Sequence, residues 1–250
     1  MNGYLITSAA GFGAGFVNAV AGGGSLLSFP ALLYTGMPAI TANATSTLAL
    51  WPGSVTSSWA YRKHLAKQQR NVLTLALPSI LGGLTGAILL LCTPEKAFRL
   101  IVPYLILLAC GLLMANEPIG RLVARHAAAH PRKASAALWL IQFLIAVYGG
   151  YFGAGIGIMM LAAMAIFLPE DMQSANALKN FFAVLINGVA AVYFLIVGAV
   201  VLPVAVLMAC AAIVGGFTGA HAAQRMSPRL LRGAVVVYGI FVAIDLMVKK

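Results

Sequence analysis

The sequence predicts an all-α polytopic membrane protein built from two homologous halves. Three observations carry this. First, 62% of its 250 residues are hydrophobic and only 8% are charged, against about 25% charged in soluble domains. Second, residues 1–61, 71–94, 134–169 and 180–224 contain no Asp, Glu, Lys or Arg. Each run matches or exceeds the roughly 20 apolar residues that cross a bilayer. Third, a single ungapped offset of 133 residues superposes motifs of one half on the other. Ala42-Asn43-Ala44 falls on Ala175-Asn176-Ala177, Gly22 and Gly24 fall on Gly155 and Gly157, and Arg99 falls on Arg232.

The halves are 1–116 and 134–250, joined by a basic linker, 117–133. Each half holds four apolar segments, about eight in all: 4–34, 39–61, 71–92 and 98–115, then 136–168, 172–198, 201–223 and 230–248. Segments one and five exceed thirty residues, too long for one straight span. Each carries a glycine cluster, Gly22-Gly23-Gly24-Ser25 and Gly153-Ala154-Gly155-Ile156-Gly157. An interior glycine costs a helix about 1 kcal/mol relative to Ala, so both segments are expected to be broken or re-entrant. Segments two and six hold "TANATST" and "SANALKN", followed by Trp51-Pro52-Gly53 and Asn187-Gly188, where kinks are expected. Segments three and seven hold Gly82/Gly86 and Gly215/Gly219, spaced for close helix packing. With segments one and five re-entrant, eleven loop cations share one face and four take the other, and the halves are inverted with respect to each other; eight full spans split the cations ten to five, so both topologies stand.

Composition excludes several functions. The net charge of +11 fits loop cations facing anionic lipid better than nucleic acid, for which no folded domain exists. The N-terminus lacks the basic region of a secretory signal, since the first cation is Arg62. The cysteines, three in number, lie in apolar segments and imply neither a disulfide nor a metal. His126 and His130 are four apart in the linker, but no HExxH and no acid cluster accompanies them. No cofactor is expected, and no enzyme.

Lys179 is the anomaly. It lies eight residues past Asp171, about 12 Å along a helix. Only five acids exist, Glu95, Glu117, Glu170, Asp171 and Asp245, and none is an obvious buried counter-ion. A cation at that depth normally faces a partner or a water-filled cavity. Two readings stand: the partner is an anionic substrate, or it is an acid on a helix of another protein. For a substrate, amides at the breaks near Gly22, Gly23, Gly24, Ser25, Gly153, Gly155 and Gly157 would coordinate oxygens. Asn43, Ser46, Thr47, Asn176 and Asn180 would donate hydrogen bonds, and Lys179 would supply charge. The bland alternative for the asparagines is helix capping.

The stretch "AGFVNAVAGGGSLLSFPALLYTGMPAITANATSTLA" resembles the first-half signature of the TauE/SafE sulfite exporter family, also called the 4-toluene sulfonate uptake permease (TSUP) family. "GGYFGAGIGIMMLAAMAIF" and "SANALKNFFAVLING" look like its second-half signature. The resemblance covers nearly the whole chain. It implies a two-repeat secondary transporter in the bacterial inner membrane that moves sulfite, sulfoacetate or another organosulfonate. Many members carry a "TNK"-like triplet in the first half. Here Thr45-Ser46-Thr47 stands there, so Lys179 supplies one fixed charge rather than two. The direction of transport, its coupling and the oligomeric state, a homodimer included, stay open at this point.

Overall fold

The computed structural model describes residues 2–20, 23–126, 136–168, 171–222 and 228–248. It is all-helical over those residues. Segment one is two helices, α1 (Asn2–Val20) and α2 (Ser25–Tyr34), and segment five is likewise α7 (Ala136–Tyr151) and α8 (Ile156–Phe167). Both expected breaks are therefore present, each at its glycine cluster. α3 (Ala39–Ala60), α5 (Gln69–Cys92) and α6 (Glu95–His126) complete the first half, with a one-turn helix, α4 (Arg62–Leu65), in the basic connection after α3. α9 (Met172–Ile196), α10 (Leu202–Ala222) and α11 (Pro228–Val248) complete the second.

Among the described residues, five helical stretches are long and apolar enough to cross a membrane by length and composition: Arg62–Cys92, Glu95–Ala115, Gln173–Ile196, Leu202–Gly219 and Leu230–Val248. The chain is a multi-pass membrane protein. α3 has the length but is more polar, because Asn43, Thr45 and Ser46 interrupt it. All three are buried, so its polar face looks into the protein.

α6 continues through Arg121 to His126, so the first residues of the basic linker are helical. One expectation needs correction, that of breaks in segments two and six. α3 runs unbroken through Trp51-Pro52-Gly53, and α9 through Asn187-Gly188. The reason is interlocking: the Trp51 indole donates to the Val184 carbonyl at 3.1 Å and lies against Gly188, where a Cβ would sit 2.9 Å from Trp51 Nε1. The glycine makes room for a ring and leaves the helix intact.

The glycine pairs of segments three and seven pack helices, as expected. A Cβ on Gly82 would meet the Phe143 carbonyl at 2.5 Å, and one on Gly215 would collide with the Phe12 carbonyl. Thus α5 closes on α7, and α10 on α1. α6 and α11 run antiparallel, with Glu117 beside Arg232 and Cys110 beside Val236. The Tyr34 hydroxyl donates to Asp245 at 2.9 Å, which puts the outer end of α2 beside the last turn of α11. The outer half of α8 lies instead near Ile119, which packs on Leu161, Ala165 and Ala175. The outer ends of α2 and α8 therefore lie toward opposite ends of α6.

Candidate substrate site at the helix breaks

Both breaks meet one helix at one level. A Cβ on Gly23 would lie 3.3 Å from Leu113, and one on Gly155 would lie 3.1 Å from Leu112. Gly23 (φ 91°), Gly153 (φ 82°) and Gly155 (φ 82°) are left-handed, a conformation that costs an L-residue roughly 1–2 kcal/mol. Glycine is what lets each chain reverse there.

At the first break the Gly24 amide donates to Asn18 Oδ1 at 2.7 Å, so that N–H is already occupied. Ser25 begins α2, and its neighbour Ser28 hydrogen-bonds Ser46 of α3 at 2.6 Å, both side chains buried. Gly22 lies outside the described residues.

The second break is less self-contained. Tyr148 Oη donates to the Ala154 carbonyl at 2.7 Å. The Tyr151 carbonyl, freed where α7 ends, accepts from Asn43 Nδ2 at 2.9 Å. Asn43 is thus a cap for a helix in the other half. Thr47 turns back on Asn43's own carbonyl at 2.9 Å. α8 begins at left-handed Gly155 with no side-chain cap, and the amides of Ala154, Gly155 and Gly157 find no acceptor among the described residues. Uncapped amides at a helix start carry the positive end of its dipole.

Lys179 packs on that same turn. A Cβ on Gly157 would lie 3.2 Å from Lys179 Cδ, 3.5 Å from Cγ and 3.8 Å from Cε. Asn176, Lys179 and Asn180 lie three or four residues apart, on one side of α9. Each is half-buried, and none has a hydrogen-bond or ion-pair partner among the described residues. Asn176 is no cap. Asp171 caps α9, accepting from the amides of Gln173 at 2.8 Å and Ser174 at 2.9 Å. The Ser174 amide holds the Asp171 carboxyl below its ordinary range, helped by the Ser174 hydroxyl, the Gln173 amide and the nearby His64 charge, while burial opposes.

Gly153, Gly155, Gly157 and Lys179 are therefore gathered at the start of α8, with Asn43 on the adjoining end of α7. Ser46 is spent on Ser28, and Thr47 on its own helix. Sequence reasoning missed Asn18, Ser28 and Tyr148, which serve the breaks. Asn18, six residues before Gly24, was the one with a local signal. An apolar groove of about 430 Å³ lined by Trp51, Val184, Gly188 and Val192 contains none of these residues. No group of three or more His, Cys, Asp or Glu that could hold a metal ion occurs among the described residues.

The family model "Sulfite exporter TauE/SafE" matches residues 7–246. The chain belongs to the TauE/SafE family. It is 30% identical to the "Probable membrane transporter protein ORF9" of Sinorhizobium sp over 240 residues, 95% of this chain and 90% of that one. It is 29% identical over 232 residues to a "Probable membrane transporter protein" of Haemophilus influenzae, covering 91% and 88% of the two chains. It is 24% identical to YfcA of Escherichia coli K12 over 239 residues, covering 94% and 86%. No solved structure matches the chain significantly. These TauE/SafE relatives bear the names of bacterial membrane transporters and not of enzymes. This TauE/SafE member is a multi-pass membrane protein of that kind.

Proposed function

We propose that this chain is a secondary transporter of a small sulfur-containing anion, sulfite or an organosulfonate, across the bacterial inner membrane. The observation that carries the reading is Lys179 packed on the uncapped first turn of α8. A cation beside the positive end of a helix dipole is repelled. Half-buried polar groups without protein partners at membrane depth need water or a ligand to satisfy them. An oxyanion resolves both, since it accepts from the α8 amides and pairs with the ammonium. The family's name supplies the sulfur chemistry.

Alternating access follows from an inverted pair of repeats, 1–116 and 134–250. The opposite placement of the outer ends of α2 and α8 along α6 supports that arrangement. Asn176 and Asn180 would replace part of the anion's hydration. The test is anion-dependent thermal stabilisation of the purified protein with sulfite, sulfate, thiosulfate and sulfonates, beside flux in proteoliposomes. A ligand of the folded state raises the melting temperature. Lys179→Ala is expected to abolish both the stabilisation and the flux while the protein still inserts. Wild-type flux in Lys179→Ala sinks the assignment. No stabilisation by any anion would favour a lysine that faces an acid on a partner protein.

A further inference from the structure

Arg232 is placed unlike its counterpart. Arg99 is exposed, 65% by side chain, and pairs with Glu95 on its own helix at 3.7 Å. Arg232 is 22% exposed and reaches across to Glu117 of α6, where Nη1 and Oε1 are 3.8 Å apart. That is an ion pair too long for a hydrogen bond. The same carboxylate lies 3.8 Å from Arg121. Arg232 Nε is buried, and no acceptor for it occurs among the described residues. A guanidinium offers its N–H groups as a rigid fork shaped for an oxyanion, and here one N–H of the fork is sealed from water and unused.

Its position gives that spare donor a use. Glu117 lies two residues from Ile119, which packs against the cluster of Leu161, Ala165 and Ala175, the last in the first turn of α9. The starts of α9 and α11 therefore share one end of the bundle. Arg232 is four residues into α11, about 6 Å from its start, and Lys179 is about 12 Å from the cap of α9. Both cations thus lie within about two or three helical turns of that same end of the bundle. A cation so placed repels Lys179 when the site is empty and attracts any anion bound there.

We infer that Arg232 is a second binding station for the anion, between Lys179 and the end of the bundle where α9 and α11 begin, and that Glu117 is the internal anion the substrate displaces. The inference rests on the anion reading of Lys179 above. Its test measures sulfite flux against concentration in proteoliposomes, with sulfite-dependent thermal stabilisation alongside. Arg232→Gln is expected to raise the half-saturating sulfite concentration about tenfold, the scale of one charge-assisted hydrogen bond. Glu117→Gln, which removes the competitor, should lower it about threefold by the same conversion. The double variant should follow Arg232→Gln, and Arg232→Lys should restore part of the loss. If the pair merely ties α6 to α11, both single variants will lower the melting temperature and leave half-saturation within about twofold. That result overturns the inference. Should Arg232→Gln not insert, Glu117→Gln still decides, since it keeps Arg232 and the gain in affinity is unique to displacement. Flux indifferent to Lys179→Ala overturns both readings. Flux that needs Lys179 but ignores Glu117 and Arg232 overturns this one alone.

Discussion

Gly157→Ala separates the site from the scaffold. Gly157 is inside α8 with ordinary helical backbone, so alanine there gains up to about 1 kcal/mol of helix propensity. Its new Cβ would sit 3.2 Å from Lys179 Cδ and 3.5 Å from Cγ. That is close enough to push the lysine stem aside by a few tenths of an ångström, which a flexible chain accommodates. The fold should hold or gain slightly. The ammonium at the end of that stem shifts with it, away from the anion proposed at the α8 amides. A charge-assisted hydrogen bond contributes about 1.5–3 kcal/mol, and losing roughly 1 kcal/mol of it weakens anion affinity about fivefold. The control is Gly155→Ala. There φ is 82° and a Cβ would meet Leu112 at 3.1 Å, so strain of roughly 1–2 kcal/mol falls on the fold itself. The assay pairs the unliganded melting temperature with the sulfite concentration at half-saturation. The reasoning is refuted if Gly157→Ala binds sulfite like wild type. It is equally refuted if that variant melts as early as Gly155→Ala.

Two further outcomes test the supports of the site. Asn43→Ala strips the part-buried Tyr151 carbonyl of its donor, at a cost of about 1 kcal/mol or somewhat more; thermal melts should show a fall that the smaller Thr47→Ala change does not. Asp171→Ala removes the α9 cap, worth about 1 kcal/mol. Because the Asp171 carboxyl is held below its ordinary range, its contribution is present above about pH 4 and is lost as pH falls through the folded value. Melts between about pH 3 and 7 should show the wild-type advantage shrinking toward acid.

Much of this architecture was legible because it is written locally. The glycine clusters fixed both breaks, since a reversing backbone with positive φ at Gly23 and Gly155 has few other residues to use. Lys179 announced itself by isolation among apolar neighbours. The misreadings share one cause, dependence on a distant partner. Trp51-Pro52-Gly53 reads as a break, yet α3 runs through it with the Trp51 ring set against Gly188 of α9. Asn43 reads as a cap for its own helix, whereas it caps α7. Asp171 reads only as a depth marker for Lys179, and it is the cap. Arg232 reads as any loop-end cation, because nothing within its own segment shows that Glu117 waits across the helix interface.

The long reach of those α3 contacts bears on how the protein is made. The Asn43 donor and its Tyr151 acceptor are 108 residues apart, and Thr45 Oγ1 accepts from the Val201 amide across 156 residues. Chains emerge from the ribosome at about 5–20 residues per second. So α3 enters the membrane with an amide and a hydroxyl unpaired, and waits on the order of ten seconds for the helices that satisfy them. During that interval the nascent first half is an incomplete product, its polar stripe open to lipid. A chain stopped after residue 116 would keep that stripe for good. The same side chains that tie α3 to the second half in the mature protein thus mark an unfinished copy.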